Sequence, residues 1–476
     1  MLRPLVFALV LALSATGAWA DRYSDCRQTT DLELRIRGCT QIIERGKGES
    51  REWRAAAHHT RGNAYEQKGD KEQAIADYTK AIALNPIQAE TYFNRGNLYD
   101  ERGDHDRAIA DFDEAIKRNP EFASAYGGRG IAYVKKGEFD RAIADLDKAI
   151  ALNPNYALGY HSRGNAYAQK GDYDRAIADW TKAIALNPNF ADAYYNRGKA
   201  YYEKGESDRA IADYDKAIAL DPKDALAYTN RGSTYLAKGE VDRAIVDYDK
   251  AIALDPNDAE AYTNRGAAYD EKGEFERAIA DYDKAIVLDP NLALAYSNRG
   301  LSYANKGKFE RAIADYDKAI ALDPNLALAY YNRGSAYLVK GESDRAIADL
   351  DKAIVLDPKN ALAYSNRGLS YANKGEFERA IADYDKAIAL NPKFADAYYN
   401  RGLSYHQKGE VDRAIADYTK AIALDPNLAL AYYNRGLAYG KKGDKKRAIA
   451  HFRKALEIDP SYQNAKEALK LLGATP

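Results

Sequence analysis

Residues 312–334 read AIADYDKAIALDPNLALAYYNRG, and residues 414–436 read AIADYTKAIALDPNLALAYYNRG, the same phrase with one change. The Arg-Gly step that closes it recurs with its glycine at 62, 96, 130, 164, 198, 232, 266, 300, 334, 368, 402 and 436, a spacing of 34 without insertion or gap. A fixed period of this length marks an array whose units pack on their neighbours, so the 476 residues are read as one elongated domain. The units are numbered here as repeats 1 to 12 by these glycines.

Within repeat 9, Ala327, Tyr330, Gly334 and Tyr337 follow helical spacing. Gly341 interrupts it, and Ala346, Ile347, Leu350, Ala353 and Ile354 resume it. Two amphipathic helices per unit follow, the second closed by Pro358, which cannot continue a helix and moves Asp357 out of helical space. Of 14 prolines, twelve stand at this one place, so none is left to break a helix interior. Gly334 and Ala346 are small enough to let antiparallel helices approach closely. Tyrosines four before, three after and sixteen after the glycine account for 30 of the 39, which commits most rings to packing instead of a base-stacking surface.

This succession of aromatic, glycine, tyrosine, glycine, alanine, aromatic, alanine and proline resembles the tetratricopeptide repeat from about Ala55 to Pro460. The resemblance implies an all-α fold, a right-handed α-solenoid (superhelix) of antiparallel helix pairs whose first helices line a concave groove that binds proteins or peptides. The expected organisation is 1–20 signal peptide, 21–54 N-terminal helical cap segment with a cysteine pair, 55–460 twelve repeats, and 461–476 C-terminal cap helix and tail. Tyr462, Ala465, Leu469 and Leu472 share the inner face of that cap, with Lys466 and Lys470 elsewhere.

Arg3 ahead of LVFALVLAL, and small residues in Ala18–Ala20, make a cleavable secretory signal; the apolar run is short of the roughly 20 residues that span a bilayer. An exported protein, periplasmic or extracellular, is expected, with no integral membrane segment after cleavage. In an oxidising compartment the only two cysteines, Cys26 and Cys39, are expected to pair. Between them a helix is expected, with Thr30 and Glu33 at the spacing of a capping box and Leu32, Ile36, Cys39 and Ile43 sharing one face.

Lysine and arginine total 70 against 71 acidic residues, which removes the basic field of a nucleic-acid binder. The six histidines are scattered without metal-ligand spacing, and no nucleophile elbow, phosphate loop or catalytic carboxylate pair stands out. The expectation is therefore no enzyme, no metal and no small-molecule cofactor. The aspartates two apart in DYDKAI are read as a solvated helix face. The arginine before each glycine, Arg61 to Arg435, is expected to pair with the aspartate fifteen after the glycine, present in every repeat but the last, which has His451.

Two before the glycine stand Asn94, Asn196, Asn230, Asn264, Asn298, Asn332, Asn366, Asn400 and Asn434. Asparagine costs a helix roughly 0.6 kcal/mol relative to alanine. By resemblance this offset faces the groove, as does the asparagine ladder of O-linked N-acetylglucosamine transferase, and the nine are expected to bond the backbone of an extended peptide with Tyr331, Tyr399 and Tyr433 beside them. One residue after the glycine, Asn63, Asn97 and Asn165 give way to Leu301, Leu369, Leu403 and Leu437, so the groove is expected to turn from polar to apolar along the chain. The offsets six, three and two before the glycine hold no lysine or arginine, unlike family members that clamp chaperone tails. The partner is thus expected to be a protein or peptide held by a scaffold of the cell envelope, the alternative being a structural spacer or assembly subunit that uses its outer surface.

Overall fold

A computed structural model describes residues 22–475; the expected signal, and with it the cleavage site, lies outside them. Among the described residues the regular structure is helical throughout. Each repeat is a pair, as in repeat 8, where Ala293–Asn305 is followed by Phe309–Leu322. Repeat 1 opens earlier than the periodicity suggested, with Arg51–Gln67 capped by Ser50, whose side chain accepts from the Trp53 N–H.

Two glycines per repeat shape the pair for different reasons. Gly341, in the turn, has φ +77°, and around it the Glu342 N–H bonds the Tyr337 carbonyl at 2.9 Å while its own N–H bonds Leu338 at 3.0 Å. This left-handed C-terminal cap satisfies the last carbonyls of the first helix and suits glycine alone at no steric cost. Gly334 is helical instead, and a Cβ there would lie 2.9 Å from Leu350 Cγ and 3.2 Å from the Ala346 carbonyl oxygen. The second helix lies this close because Ala346 is fully buried and offers only a methyl group.

The contacts divide the chain into two units, up to Thr234 and from Tyr235, the division falling within the first helix of repeat 6, Ala225–Ala237. In each unit successive helices pack one on the next, as Ala293–Asn305 does on Phe309–Leu322, and first helices of successive repeats also touch directly, which places them on the inner side. The core runs along the pairs: Ala312, Tyr316 and Ala336 form one cluster, and Ala414, Tyr418 and Ala438 another.

The ends are degenerate repeats. Residues 22–27 are helical and precede Leu32–Glu44, to which Cys26–Cys39 ties them with Cα atoms 4.6 Å apart. Two expectations for this segment are corrected. The N-cap is Asp31, whose carboxylate accepts from the Leu34 N–H at 2.9 Å, because Thr30 is drawn to Gln28 Oε1 by both its N–H and its hydroxyl. The buried face is Arg35, Gly38, Cys39 and Ile42, one residue round from the expected stripe, because Gly38 lets the preceding helix come close enough that a Cβ would meet the Cys26 backbone at 2.7 Å. At the other end Gln463–Leu471 continues the repeat register, with fully buried Ala465 and Leu469 where repeat 12 has Ala431 and Arg435.

Candidate binding face

The arginine column is spent inside the fold. Arg299 grips Asp315 with two parallel bonds, Nε to Oδ2 at 2.8 Å and Nη2 to Oδ1 at 2.7 Å, and reaches with Nη1 to Asp283 of the preceding repeat at 2.5 Å. The guanidinium also lies 5.5 Å from the Tyr296 ring. Donating these hydrogen bonds to the Asp315 carboxylate raises the Arg299 pKa above the ordinary arginine value. The same three-part clamp recurs at Arg163, Arg265, Arg333, Arg367 and Arg401. This corrects the reading of DYDKAI as a solvated face. Aspartates two apart point in different directions, so one serves its own repeat's arginine and the other that of the next.

The outer turns are spent likewise. Lys272 bonds Asp242 at 2.8 Å and Lys374 bonds Asp344 at 2.7 Å, linking each turn to the previous second helix. Repeat 12 breaks the arginine pattern: Arg435 meets His451 Nδ1 at 3.3 Å, and its Nε is buried without a partner. Burial, then Arg435 and Arg447, push the His451 pKa down to about 4.

On the inner side the asparagines do not form one uniform ladder. In the first unit they bond the preceding first helix: Asn94 donates to Asn63 Oδ1 at 3.1 Å, Asn196 to Asn165 Oδ1 at 3.2 Å, and Asn230 to the Tyr195 hydroxyl at 2.8 Å. In the second, Asn366 donates to Ser335 Oγ at 2.9 Å and Asn434 to the Tyr399 hydroxyl at 3.0 Å. Asn332 is buried with its Nδ2 unpartnered, while Asn264, Asn298 and Asn400 are half-buried at the same offset. The expected change of polarity one residue after the glycine explains the difference: Asn63 and Asn165 are hydrogen-bond acceptors for the next repeat, and the leucines cannot be.

The tyrosines beside them are half-buried and in contact. Tyr399 lies 6.0 Å from Tyr418, Tyr433 lies 5.0 Å from Tyr462, and Tyr331 packs on the repeat 9 core. What the inner face leaves exposed is a row six before the glycine, four residues from each asparagine and therefore on the same helix face. In it stand Leu294 (50% exposed), Leu328, Leu362 and Leu430 in the second unit and Leu158 and Leu226 in the first, interrupted by exposed Glu90, Asp192, Glu260 and Asp396 in other repeats.

Sequence reasoning missed a cavity of about 450 Å³ on the inner side of repeats 3 to 5, walled by Val134, Ala168, Tyr173, Trp180 and Ala200. The one signal for it was Trp180, the single tryptophan sixteen after a glycine, where other repeats have Tyr, Phe or Leu. Among the described residues no group of three or more His, Cys, Asp or Glu is placed to hold a metal ion, and no helix is long and apolar enough to cross a membrane.

No curated protein matches the chain. Among solved structures it is similar in fold to a chain of the APC/C hetero-tetramer Cut9–Hcn1, at 18% identity and TM-score 0.50 over 91% of this chain and 98% of that one. It shares 39% identity with MamA over 35% of this chain and 96% of that one (TM-score 0.33). With YrrB, described as a TPR protein with an unusual peptide-binding site, it shares 29% over 40% and 97% (TM-score 0.35). The family described as TPR repeat matches residues 62–101 and then overlapping segments from 164–205 to 402–443, and further tetratricopeptide repeat families match 93–157, 146–178 and 429–462. With helix pairs, glycine spacing and sequence in agreement, the chain belongs to the tetratricopeptide repeat family, a scaffold fold for protein–protein interaction.

Proposed function

We propose that the protein is a non-enzymatic scaffold that holds another protein, or an extended segment of one, against the inner face of its first helices. The observation that carries this reading is the contrast between faces. Most of the column arginines and turn lysines are paired within the chain, whereas the inner face keeps exposed leucines beside the asparagine column. An exposed apolar row bordered by amide groups suits a peptide, whose backbone needs hydrogen bonds and whose side chains need contact. Export to the envelope or periplasm is part of the proposal. It is supported by the composition of residues 1–20 and by the Cys26–Cys39 bridge just beyond, since an oxidising compartment preserves such a bond.

The test replaces Asn332, Asn366, Asn400 and Asn434 with alanine together and compares crosslinked capture of the native partner. Capture should fall while helicity by circular dichroism stays unchanged. Undiminished capture by the folded variant would transfer the interaction to the outer surface and favour the spacer.

A further inference from the structure

Repeat 12 reverses the charge that every other repeat offers its successor. Ten residues after the glycine, repeats 1 to 11 carry Asp or Glu, and seventeen after it Asp or Thr, whereas repeat 12 carries Lys446 and Arg453. Both offsets point along the array: Asp242 meets Lys272 of the next repeat at 2.8 Å, and Asp283 meets Arg299 of the next at 2.5 Å. The offset nine after the glycine does so too, since Phe309 packs with Ala336 of the next repeat, and in repeat 12 it is Lys445. Lys470 completes the group, standing in the cap helix Gln463–Leu471 at the place where each repeat has the glycine on which its second helix packs. Among the described residues no second helix follows this cap, so the four cations face out of the C-terminal end. Lys445, Lys446 and Lys470 are exposed and pair there with no carboxylate, and Arg453 donates only to the Thr475 carbonyl, at 3.1 Å from Nη2. The helix Lys445–Ile458 holds five Lys and Arg against one Glu, where the second helices of the other repeats have a net charge of 0 or −1. Beside Lys470 stands Leu471, 87% exposed, more than any other large apolar side chain among the described residues.

We propose that this end of the array docks on the surface of an anionic lipid bilayer, with Lys445, Lys446, Arg453 and Lys470 at the level of the phosphates and Leu471 entering the acyl boundary. The inference concerns the end of the array and does not rest on the inner-face reading. Each basic side chain brought near such a surface strengthens binding about fivefold, and several of them beside an exposed apolar group give reversible attachment. Three of the four are lysines, mobile point charges that suit a fluid layer of phosphates better than a fixed carboxylate, for which the planar fork of arginine is the better match. A nucleic acid would leave Leu471 without a contact, and the rings of this end are not free to stack on bases: Phe452 is buried and Tyr462 lies 5.0 Å from Tyr433. A further repeat stacked here would bring its turn lysine and column arginine against Lys446 and Arg453, so the end is closed to extension of the array by like-charge repulsion.

The test is cosedimentation of the full chain with vesicles of phosphatidylcholine alone and of phosphatidylcholine and phosphatidylglycerol in equal parts. Residues 1–20 carry one charge, Arg3, so whatever binding they contribute is common to every variant and is measured on the neutral vesicles. Partition should be stronger on the anionic vesicles and should fall as salt is raised. Lys445→Gln, Lys446→Gln and Lys470→Gln together, at exposed positions, should reduce it on the order of a hundredfold with helicity unchanged. Leu471→Asn should reduce it roughly tenfold and leave the salt dependence as it was. As a control, Lys216→Gln, Lys250→Gln and Lys284→Gln, equally exposed on the second helices of repeats 5 to 7, change the net charge by the same amount and should leave partition unchanged. Equal partition on neutral and anionic vesicles, an equal loss in the control, or undiminished binding by the folded triple variant each overturn the proposal. Retention on heparin without vesicle binding would assign the cations to a soluble polyanion and overturn the lipid reading. The four-asparagine variant should bind the vesicles as the parent does, so this outcome and that of partner capture are read separately.

Discussion

At the scale of the residue, the arginine column is held by carboxylates of its own repeat and of the one before. Asp315 is about nine-tenths buried, so removing its partner leaves an uncompensated carboxylate, which costs about 3 kcal/mol. Arg299→Ala should therefore lower the thermal midpoint more than Arg299→Leu, since leucine keeps the apolar stem; Leu469 occupies the same column in the C-terminal cap fully buried. Adding Asp315→Ala to each should recover part of the loss, with a coupling above about 1 kcal/mol. Equal, negligible shifts in both single variants would mean that the arginine is carried by its stem alone. His451 gives the converse case. Its folded pKa of about 4 lies below the ordinary value near 6.5, so its contribution is complete above about pH 6.5 and is lost as pH falls towards 4, by up to roughly 3 kcal/mol. His451→Asp supplies Arg435 with the carboxylate that other repeats have, and its gain in thermal midpoint should be larger at pH 5 than at pH 7.5.

At the scale of the element, the N-terminal helix Leu32–Glu44 stands in for a preceding second helix. Thr40 accepts Arg61 Nη1 at 2.8 Å, as Thr79 accepts Arg95 at 2.9 Å. Among the described residues it has only the short helical stretch 22–27 as a partner on its far side, and the bridge compensates. Closing a loop with a sequence separation of 13 restricts the unfolded chain by about 3 kcal/mol. Digestion of nonreduced, freshly exported protein should yield the linked Cys26 and Cys39 peptides in mass spectrometry, and reduction should loosen the first repeat before the others. Two alkylatable thiols would contradict both the bridge and the proposed compartment. Helix existence and pairing were legible here, but the cap and the buried stripe were each displaced by one residue. Gln28 competes for Thr30, and the approach of residues 22–27 over Gly38 rotates the face, neither of which is encoded in helical spacing.

At the scale of the whole molecule, binding and stability are both sums over similar units. A net hydrogen bond contributes about 1 kcal/mol, so one asparagine replaced should change capture only severalfold, and the four together by a hundredfold or more if each meets the partner. Asn366 and Asn434 already bond Ser335 and Tyr399 within the chain and Asn332 Nδ2 is itself buried, so replacing half-buried Asn400 alone should cost more than replacing any of these three alone.

The sequence by itself determined the all-helical array, its register, its close helix pairs and the arginine–aspartate pairing, because each depends on residue size, backbone conformation or charge at a fixed offset repeated along the chain. Only the tertiary structure decided how the inner face is used. Whether Asn196 is tied to Asn165, Asn332 is left without a partner, or the second aspartate of DYDKAI reaches a neighbour depends on which side chain the adjoining repeat brings opposite it. The cavity under Trp180 exists for the same reason. It is space left where Val134, Ala168 and Ala200, from three different repeats, converge on one ring.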